Sequence, residues 1–320
     1  MLRKYLFAII YSVLLTAFTV YVLMDTFVIT RVYSSVPAVE ASSEAGSDAA
    51  DSDTTVAGAA VNASASEQTS KSPTSQQPVS TATSYQDENI TITLSEYREY
   101  DTSIYVADIK LSSPEYLQTA LAQNAYGKNV TEKTSEMAVE NGAILAINGD
   151  YYGSQEKGYV LRNGVLYRDI AERGQEDLVI YEDGSFEIIS EDEVTAQELL
   201  DKGAAQILSF GPALVTDSEV SVTAGEEVGK AKSSNPRTAI GVIDDLHYVF
   251  VVSDGRTDES EGLSLYQLAE FMSGLGAETA YNLDGGGSSS MVFNGNVINN
   301  PTSSGNRIKE RSVSDIVYIG

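Results

Sequence analysis

The sequence has 320 residues, no cysteine and one histidine, so it contains neither disulfides nor cysteine-ligated metal sites and leaves little room for a serine–histidine triad. Its formal net charge of −26 argues against a nucleic-acid partner, because proteins that bind nucleic acid usually carry a basic patch. The same charge fits an extracellular or cell-surface protein, which self-repulsion keeps soluble.

The first element in the chain is an uncharged, mostly apolar segment at residues 5–24. About 20 apolar residues in a helix span a bilayer. Arg3 and Lys4 before the segment place the N-terminus in the cytoplasm by the positive-inside rule. The alternative is a cleaved signal peptide, but the apolar core of such peptides is usually only about 7–15 residues long. We therefore predict a signal-anchor over residues 1–39 that crosses the cell membrane once and holds the remaining chain on the extracellular side.

Residues 40–88 are rich in Ser, Thr, Ala, Pro and acidic residues and contain few large apolar side chains. Such a segment cannot bury enough apolar surface to offset the entropy that is lost on folding. We therefore predict a disordered linker over residues 40–88, followed by one folded domain over residues 89–320.

Strand and helix signals alternate through the predicted domain. Asn-Gly or Asp-Gly dipeptides at 163–164, 183–184 and 294–295 mark hairpin turns between apolar runs. Capping boxes, in which Ser or Thr precedes Glu or Gln by three residues, predict helices that begin after Thr195 and Ser264. Many hairpins with a few scattered helices indicate an α+β domain with a largely antiparallel or mixed β-sheet core, preceded by one transmembrane helix.

A glycine-rich stretch, NLDGGGSSSM at residues 282–291, lies between two predicted strands. Consecutive glycines allow positive φ and a close approach to a ligand, and their successive N–H groups can form an anion-binding nest. We expect this turn to present its N–H groups to an anion beside the carboxylate of Asp284. Its predicted anion-binding residues are Gly285, Gly286, Gly287 and Ser288. The alternative is a flexible turn between strands.

Polar residues also cluster at the ends of other predicted strands, and function concentrates on loops that a rigid scaffold holds. The planar guanidinium of arginine suits phosphate or carboxylate groups. The alternatives are a plain turn at Asn-Gly-Asp, a solvated Asp254–Arg256 pair that contributes little, and an Arg237 that only holds a neighbouring loop. The candidates from these clusters are Asn148, Asp150, Arg237, Asp254, Arg256 and Arg311.

Five stretches occur in the order seen in the phosphodiester glycosidases: NGDYY, NPRTAIGV, SDGR, NLDGGGSSSMV and RSVSDIVYI. Residues 89–320 therefore resemble this family. It includes an enzyme that removes N-acetylglucosamine from a phosphodiester on lysosomal enzyme glycans, and also bacterial surface proteins, some labelled exopolysaccharide-related. Asp150 departs from the family pattern, which more often has a second glycine at this position. The anchor and the linker carry no family signal.

The resemblance implies hydrolysis of a sugar-1-phosphodiester, for example one that carries N-acetylglucosamine on a cell-surface glycan or wall polymer. Ordinary glycosidases use two carboxylates, one of which protonates the leaving oxygen. A phosphate monoester has a second pKa of about 6 and hardly needs that proton, whereas arginines and N–H donors can stabilise its charge. One carboxylate must still activate water or attack the sugar, and we rank Asp284 before Asp254 and Asp150.

Two other functions fit the same residues. A non-catalytic module would bind an anionic sugar-phosphate wall polymer through the same turn and arginines, and turnover of a phosphodiester separates it from an enzyme. A surface interaction protein with a vestigial site would bind no sugar phosphate. No cofactor is expected, although the acidic loop 254–261 offers oxygen ligands for Ca²⁺ without the spacing of an EF-hand. The expected partners are a sugar-phosphate glycan or wall polymer and, through the N-terminal helix, the lipid bilayer.

Overall fold

The computed structural model describes residues 2–35, 78–224, 234–304 and 307–320. Its first element is the helix α1 (Leu2–Phe27), which confirms the predicted N-terminal apolar helix. Within it, the 19 residues Ile9–Phe27 are long and apolar enough to cross a membrane, and 0% of this stretch is buried inside the protein. The helix is therefore consistent with a signal sequence or a membrane anchor.

Strands make up most of the rest of the fold. In chain order they are β1 (Arg31–Ser35), β2 (Val79–Ser80), β3 (Ser84–Gln86), β4 (Ile90–Glu99), β5 (Thr102–Leu111), β6 (Leu117–Leu121), β7 (Ala125–Lys128), β8 (Glu132–Lys133), β9 (Leu145–Asn148), β10 (Val160–Arg162), β11 (Val165–Arg168), β12 (Glu176–Tyr181), β13 (Phe186–Ser190), β14 (Ala204–Leu208), β15 (Ala213–Thr216), β16 (Glu219–Val220), β17 (Arg237–Asp244), β18 (His247–Ser253), β19 (Thr279–Leu283), β20 (Met291–Phe293), β21 (Asn296–Val297), β22 (Thr302–Ser304), β23 (Arg307–Ile308), β24 (Ser312–Val313) and β25 (Asp315–Ile319). The helices that follow α1 are α2 (Thr134–Glu140), α3 (Ala196–Asp201) and α4 (Leu265–Gly274).

Three sheets carry the fold. The large sheet has nine strands in the order β16-β15-β19-β17-β18-β5-β4-β3-β2. The second sheet has five strands, β21-β20-β9-β25-β6, and the third sheet also has five, β11-β10-β14-β12-β13. Their strands pair antiparallel, which confirms the predicted α+β class with a largely antiparallel sheet core.

One apolar core joins the inner faces of the three sheets. Its members include Phe250 and Tyr281 from the large sheet, Ile147 and Val317 from the second sheet and Leu178 from the third. All of these side chains are inaccessible to solvent. Because protein interiors are close-packed, this shared core fixes the sheets relative to one another and gives the loops at their ends a constant geometry.

Strand β18 is apolar at almost every position because both faces of the large sheet are covered there. Phe250 and Val252 belong to the shared core, whereas Val249 and Val251 on the other face pack in a separate cluster with helix α4. Successive side chains of a strand point to opposite faces. A run such as YVFVV therefore indicates a central strand that is buried on both sides.

Helices α3 and α4 begin where the capping boxes predict. The Thr195 hydroxyl accepts a hydrogen bond from the Glu198 N–H, and the Glu198 carboxylate accepts one from the Thr195 N–H. Ser264 and Gln267 make the same reciprocal pair at α4. These bonds satisfy N–H groups that the first helical turn leaves without partners.

The folded domain begins earlier than residue 89, the boundary that the composition predicts. Residues 79–80 and 84–86 form β2 and β3 at the edge of the large sheet. Asp87 closes the following turn by accepting two backbone N–H groups. An edge strand needs few apolar side chains because solvent covers much of it, which explains why composition assigns this segment to the linker. The rest of the predicted linker, residues 40–77, lies outside the described residues.

Strand ends that carry the predicted site residues meet at one end of the sheets. The end of β19 lies beside the start of β17, where Leu283 pairs with Thr238, and the end of β18 lies beside the same start. In the second sheet, the end of β9 lies beside the starts of β20 and β25. Antiparallel pairing therefore gathers loops that are distant in sequence.

A pair of buried carboxyl groups lies beside the third sheet. Asp177 on β12 is fully buried, and Glu191, directly after β13, is 4% exposed. Burial raises the pKa of Asp177 well above its usual range, and the neighbouring Glu191 raises it further. Asp177 therefore keeps its proton in the folded protein at pH values where the unfolded chain has lost it.

We predict that Asp177→Asn stabilises the domain at pH 8 but not at pH 4. An acid whose pKa is higher in the folded than in the unfolded protein stabilises the fold most at pH values below its unfolded pKa of about 4. This stabilisation is lost as the pH rises toward the folded pKa. Asn resembles the neutral acid and does not titrate. Thermal unfolding of residues 78–320 should show a melting temperature at least about 2 °C higher at pH 8. The exposed Asp258→Asn is the control, and identical pH profiles for the wild type and Asp177→Asn would contradict the prediction.

Candidate active site

Asp284 follows the end of β19, where bonds to its backbone fix its position. Its N–H donates to the Gly149 carbonyl oxygen at 3.2 Å. Its own carbonyl oxygen accepts a hydrogen bond from Asn148 Nδ2 at 2.6 Å. Both partners lie at the end of β9 in the second sheet, so Asp284 is held at the junction of two sheets.

Asn148, which the sequence suggests as a phosphate-binding residue, is fully buried at this junction. Its Oδ1 accepts a hydrogen bond from the Thr238 hydroxyl at 2.8 Å and another from the Ser290 N–H at 3.2 Å. The side chain thus connects β9 to β17 and to the end of the glycine-rich turn. Its polar atoms are occupied by the protein itself, and its contribution to the site is to position Asp284.

The glycine-rich turn packs tightly between two other segments. Gly286 has a φ of +62°, a conformation that glycine adopts without cost. A Cβ on Gly285 would lie 2.9 Å from the Pro236 carbonyl oxygen, and one on Gly287 would lie 2.9 Å from the Ser303 Cα. The absence of side chains therefore lets the turn approach the backbone of both neighbouring segments.

The structure corrects the prediction that Gly286 offers its N–H group to an anion. This N–H donates to the Pro236 carbonyl oxygen at 2.8 Å, so it is already paired. The sequence does not reveal this bond because the two residues are far apart along the chain. The positive charge beside the turn comes from side chains rather than from this part of the backbone.

The carboxylate of Asp284 is held by Ser288 and Arg311. The Ser288 hydroxyl donates to Asp284 Oδ2, and Arg311 Nη2 donates to the same oxygen at 3.2 Å. The Asp284 side chain is 13% exposed. Burial raises the pKa of Asp284, although Arg311 opposes the rise. A carboxyl group with a raised pKa beside a cation suits proton transfer near neutral pH.

Exposed guanidinium groups of Arg256 and Arg311 flank the turn. Arg256 Nη2 lies 2.8 Å from where a Gly286 Cβ would be, and Arg311 Nη1 lies 3.5 Å from where a Gly287 Cβ would be. The neutral Asn235 Oδ1 orients Arg256 through hydrogen bonds of 3.2 and 2.9 Å. Burial lowers the pKa of Arg256, and the neighbouring Arg311 lowers it further. Two like charges held this close form a place that suits an anion. We call Asp284, Ser288, Arg256 and Arg311 the candidate site.

Arg237, also suggested by the sequence, lies beneath the turn rather than beside its open face. Only 3% of its surface is exposed, and its Nε donates to the Leu263 carbonyl oxygen at 2.9 Å. Its Cδ lies 3.9 Å from where a Cβ on Gly285 would be. The side chain therefore supports the glycine-rich turn from the direction of the loop before α4.

Asp254 is 4% exposed, and both of its carboxylate oxygens accept hydrogen bonds from the fold. Oδ1 accepts bonds from the Asn300 N–H at 2.8 Å and Asn299 Nδ2 at 3.3 Å. Oδ2 accepts bonds from Asn300 Nδ2 at 3.0 Å and the Tyr105 hydroxyl at 3.3 Å. Asn299 Nδ2 also donates to the Ser289 carbonyl oxygen at 3.0 Å. Asp254 thus ties the end of β18 to the glycine-rich stretch.

Asp150 is 1% exposed and forms a buried ion pair, in which Arg162 Nη2 lies 2.7 Å from its Oδ2. The same nitrogen lies 2.7 Å from Asp315 Oδ2. The N–H groups of Tyr152 and Ser209 also donate to Asp150, at 2.9 and 3.0 Å. Burial and the nearby Asp150 raise the pKa of Asp315, since one arginine faces two carboxylates. These groups form a buried ionic cluster behind the candidate site.

Several residues of this framework are not indicated by the sequence patterns, namely Arg162, Asn235, Asn299, Asn300 and Asp315. Asp315 lies inside the stretch RSVSDIVYI, so the signal was present but looked like the polar start of a strand. Arg162 precedes a hairpin-turn dipeptide, a position that usually indicates exposure. Burial of a charge depends on partners that are distant in sequence, which local patterns do not contain.

Among residues 2–35, 78–224, 234–304 and 307–320, no group of three or more His, Asp or Glu side chains is placed to hold an ion. In the acidic loop 254–261, the Asp254 carboxylate is turned toward Asn299 and Asn300. These bonds occupy one of the carboxylates that the loop offers to Ca²⁺.

Two curated proteins illustrate what the chain is similar to. It is 33% identical over 180 residues to the SPbeta prophage-derived uncharacterized protein YomE of Bacillus subtilis, covering 55% of this chain and 28% of that protein. It is 30% identical over 184 residues to the bovine N-acetylglucosamine-1-phosphodiester alpha-N-acetylglucosaminidase, covering 52% of this chain and 34% of that enzyme. The chain thus spans about a third or less of the length of these relatives.

Solved structures share the fold. The zebrafish N-acetylglucosamine-1-phosphodiester alpha-N-acetylglucosaminidase catalytic domain, auto-inhibited by its pro-peptide, gives a TM-score of 0.57 at 22% identity over 72% of this chain and 82% of that one. A hypothetical protein from Synechocystis gives a TM-score of 0.53 at 16% identity, over 73% of this chain and 62% of that one. At these identities the likeness concerns the fold alone.

The family match covers the part of the chain that contains the candidate site. The phosphodiester glycosidase profile matches residues 141–320, which is more than half of the chain. Asp284, Ser288, Arg256 and Arg311 all lie within this range. The profile, the curated relatives and the fold agree with the resemblance carried by the sequence stretches, and the chain belongs to the phosphodiester glycosidase family.

Proposed function

We propose that this protein hydrolyses a sugar-1-phosphodiester and releases the sugar. The observation that carries the proposal is the Asp284 carboxylate, which binds Arg311 at a turn that the Arg256 guanidinium group also flanks. The bovine relative is named for its action on an N-acetylglucosamine-1-phosphodiester. N-acetylglucosamine is therefore the first sugar to test, and a cell-surface glycan or wall polymer is the first carrier.

In this mechanism Arg256 and Arg311 bind the phosphate group. Their planar guanidinium groups offer paired N–H donors, and the Ser288 hydroxyl holds Arg311 by accepting a bond from its Nε at 3.1 Å. The leaving group is a phosphate monoester with a second pKa of about 6, so it departs without a proton from the enzyme. The cations stabilise the charge that develops on the leaving oxygen. They replace the acid that protonates the leaving group in ordinary glycosidases.

Asp284 either activates a water molecule or attacks the anomeric carbon. Its side-chain partners Ser288 and Arg311 both belong to the candidate site. By contrast, Asp150 and Asp254 accept hydrogen bonds from the surrounding fold on both carboxylate oxygens. The raised pKa of Asp284 makes its carboxylate a stronger base than an exposed one.

The remaining candidates act on the substrate indirectly, because they position other residues of the site. Asn148 fixes Asp284 through its backbone, and Arg237 supports the turn at Gly285. Asp150 anchors the end of β9 through Arg162. Asp254 anchors the segment after the turn. The glycines at 285–287 supply close packing, and that packing keeps the guanidinium groups near the carboxylate.

The position of the domain relative to the membrane is part of the proposal. Helix α1 remains as an uncleaved anchor, residues 40–77 connect it to the domain, and the domain at 78–320 lies outside the cell. Arg3 and Lys4 before the helix support this orientation. Sugar-phosphate glycans and wall polymers are accessible to the site on that side.

We predict that Asp284→Asn lowers turnover of an N-acetylglucosamine-1-phosphodiester at least about a hundredfold, the lower range for acid–base catalysis. Asn keeps the size of the side chain but loses its charge. Substrate affinity in calorimetry should change much less, because the charge acts in the transition state. Exposed Asp258→Asn is the control. Near-normal turnover by a folded Asp284→Asn protein would refute the role of Asp284 as base or nucleophile. If the wild type binds the phosphodiester but does not hydrolyse it, the non-catalytic polymer-binding module is favoured.

Arg311→Gln should move the acid limb of the kcat/KM pH profile to higher pH. Arg311 opposes the burial that raises the pKa of Asp284, so its removal raises that pKa further. The ionised carboxylate then requires a higher pH. Arg256→Gln is the matched variant, because it removes the same charge from the site but its bonds go to Asn235. If the limb stays in place in Arg311→Gln, Asp284 is not the ionising base.

A fourth prediction concerns the orientation of the domain relative to the membrane. Protease added to intact cells that carry the protein should remove the domain at 78–320, because the anchor places it outside. The same treatment should spare a cytoplasmic control protein until the cells are broken. Retention of the domain in unbroken cells would overturn the orientation. A mature chain that starts near residue 42 would show that the anchor is cleaved.

A further inference from the structure

The segment after the membrane helix is paired with the folded domain. Strand β1 begins at Arg31, and only residues 28–30 separate it from α1. It pairs antiparallel with β7, so that Arg31 lies opposite Lys128 and Ser35 lies opposite Ala125. The connection is too short to let the domain move away from the end of the helix while β1 stays paired.

Gly127 on β7 makes room for this strand. A Cβ at this position would lie 2.1 Å from the Arg31 carbonyl oxygen and 2.9 Å from the Val32 Cα. Beside it, the Tyr33 ring lies 5.8 Å from the Tyr126 ring, measured between centroids. The side chains of β1 are exposed, so backbone pairing carries much of the attachment, as in other cases where a peptide adds a strand to a domain.

Asn129, directly after β7, binds the end of α1. Its Nδ2 donates to the carbonyl oxygens of Ile29 at 3.0 Å and Thr26 at 3.3 Å. The Thr30 hydroxyl donates to the Asn129 carbonyl oxygen at 3.3 Å. The last carbonyl groups of a helix have no partner within the helix. The domain therefore supplies a bond that the last turn of α1 lacks.

The same contacts place the candidate site close to the helix end. The Asn129 N–H donates to the Gly153 carbonyl oxygen at 3.0 Å, and the Asp284 N–H donates to that of Gly149 at 3.2 Å. The segment 149–153 is at most about 14 Å long when fully extended. Asp284 therefore lies within about 20 Å of Asn129. This distance is less than the thickness of the hydrocarbon core of a bilayer, which is about 30 Å.

A net charge of −26 works against a position at the membrane. Anionic lipids repel such a chain, so contact between the domain and the bilayer needs a specific attachment. Strand β1, the space at Gly127 and the cap by Asn129 together provide one. We propose that β1 fastens the domain to the end of α1 and keeps the candidate site at the bilayer surface, where its substrate is a sugar-1-phosphodiester whose second ester group is a membrane lipid. The substrate part rests on the proposed function.

The reaction on such a lipid is a simple hydrolysis. The bond between the anomeric carbon and the bridging oxygen breaks, and a bond from that carbon to the water oxygen forms. The phosphate keeps the bridging oxygen and stays on the lipid as a monoester. One proton of the water passes to solvent by way of Asp284, and the other remains on the released sugar.

The attachment is testable by disulfide formation, because the chain has no cysteine of its own. Opposite residues of an antiparallel pair have Cβ atoms about 4.5–5.5 Å apart, close enough for a disulfide after small shifts. Arg31→Cys with Lys128→Cys should therefore cross-link in the full chain in vesicles, detected by mass spectrometry of the linked peptides. Arg31→Cys with Ala125→Cys, out of register by roughly 10 Å, should not. Failure of the first pair to cross-link would overturn the attachment.

Val32→Pro should detach the strand and leave the folded domain intact. Proline removes a backbone N–H and disfavours strand pairing, while Val32 is an exposed residue of β1. Val32→Thr is the matched control, since threonine favours strands. All three full-length proteins keep α1, so they are equally concentrated on the vesicles. Two N-acetylglucosamine-1-phosphodiesters serve as substrates. In the first, the second ester group is a long isoprenoid alcohol, and this substrate lies in the same vesicles as the protein. In the second, the second ester group is methyl, and this substrate is dissolved in water.

The measured quantity is the kcat/KM for the isoprenoid ester divided by the kcat/KM for the methyl ester. This ratio should be at least about tenfold higher in the wild type and Val32→Thr than in Val32→Pro, because a fixed position at the membrane raises the effective concentration of the lipid substrate. Turnover of the methyl ester should be equal in all three. An unchanged ratio in Val32→Pro, or no preference in the wild type, would overturn the lipid substrate. If the wild type hydrolyses neither ester, the proposed function fails, whereas the cross-link still decides the attachment.

Discussion

The candidate site depends on one buried amide, that of Asn148. Its Nδ2 donates to the Asp284 carbonyl oxygen, and its Oδ1 accepts bonds from Thr238 and Ser290. Only an amide side chain offers a donor and an acceptor in this short, planar form. An aspartate would lack the donor, and a leucine would leave three polar groups buried without partners. Because these partners lie on both sheets and on both sides of the glycine-rich turn, the amide fixes the frame in which Asp284, Ser288 and the arginines meet.

The distribution of charge around this frame solves a problem that the composition poses. A chain with a net charge of −26 must keep carboxylates away from any place that binds an anion. The structure does so by turning Asp150 toward buried Arg162 and Asp254 toward Asn299 and Asn300. The exposed guanidinium groups at the turn lie beside Gly286 and Gly287, and Arg311 partly neutralises the Asp284 carboxylate. Burial of Asp150 and Asp254 thus removes repulsion that would oppose the proposed binding of an anion.

Local patterns predicted the features that depend on neighbouring residues. The apolar N-terminal helix, the two capping boxes and the positive φ within the glycine-rich turn all follow from short-range chemistry. The features that differed depend on distant partners: the Gly286 N–H binds Pro236, and Arg237 packs beneath Gly285. Composition does not reveal strands β2 and β3 for a related reason, since an edge strand is defined by the strand it pairs with rather than by its own composition.

The segment NGDYYG, residues 148–153, shows how a stretch that looks like a plain turn can connect distant parts of a protein. Gly149 leaves room for Asp315, whose Oδ1 would lie 2.4 Å from a Cβ there. Tyr152 is buried and stacks on Tyr126, with ring centroids 5.5 Å apart. One end of the segment accepts a bond from Asp284, and the other accepts one from Asn129, which binds the end of α1. Different parts of the protein therefore constrain the two ends and the middle of this segment. A change at either end acts on a segment that has little freedom to absorb it, so the candidate site and the contact with α1 are mechanically coupled.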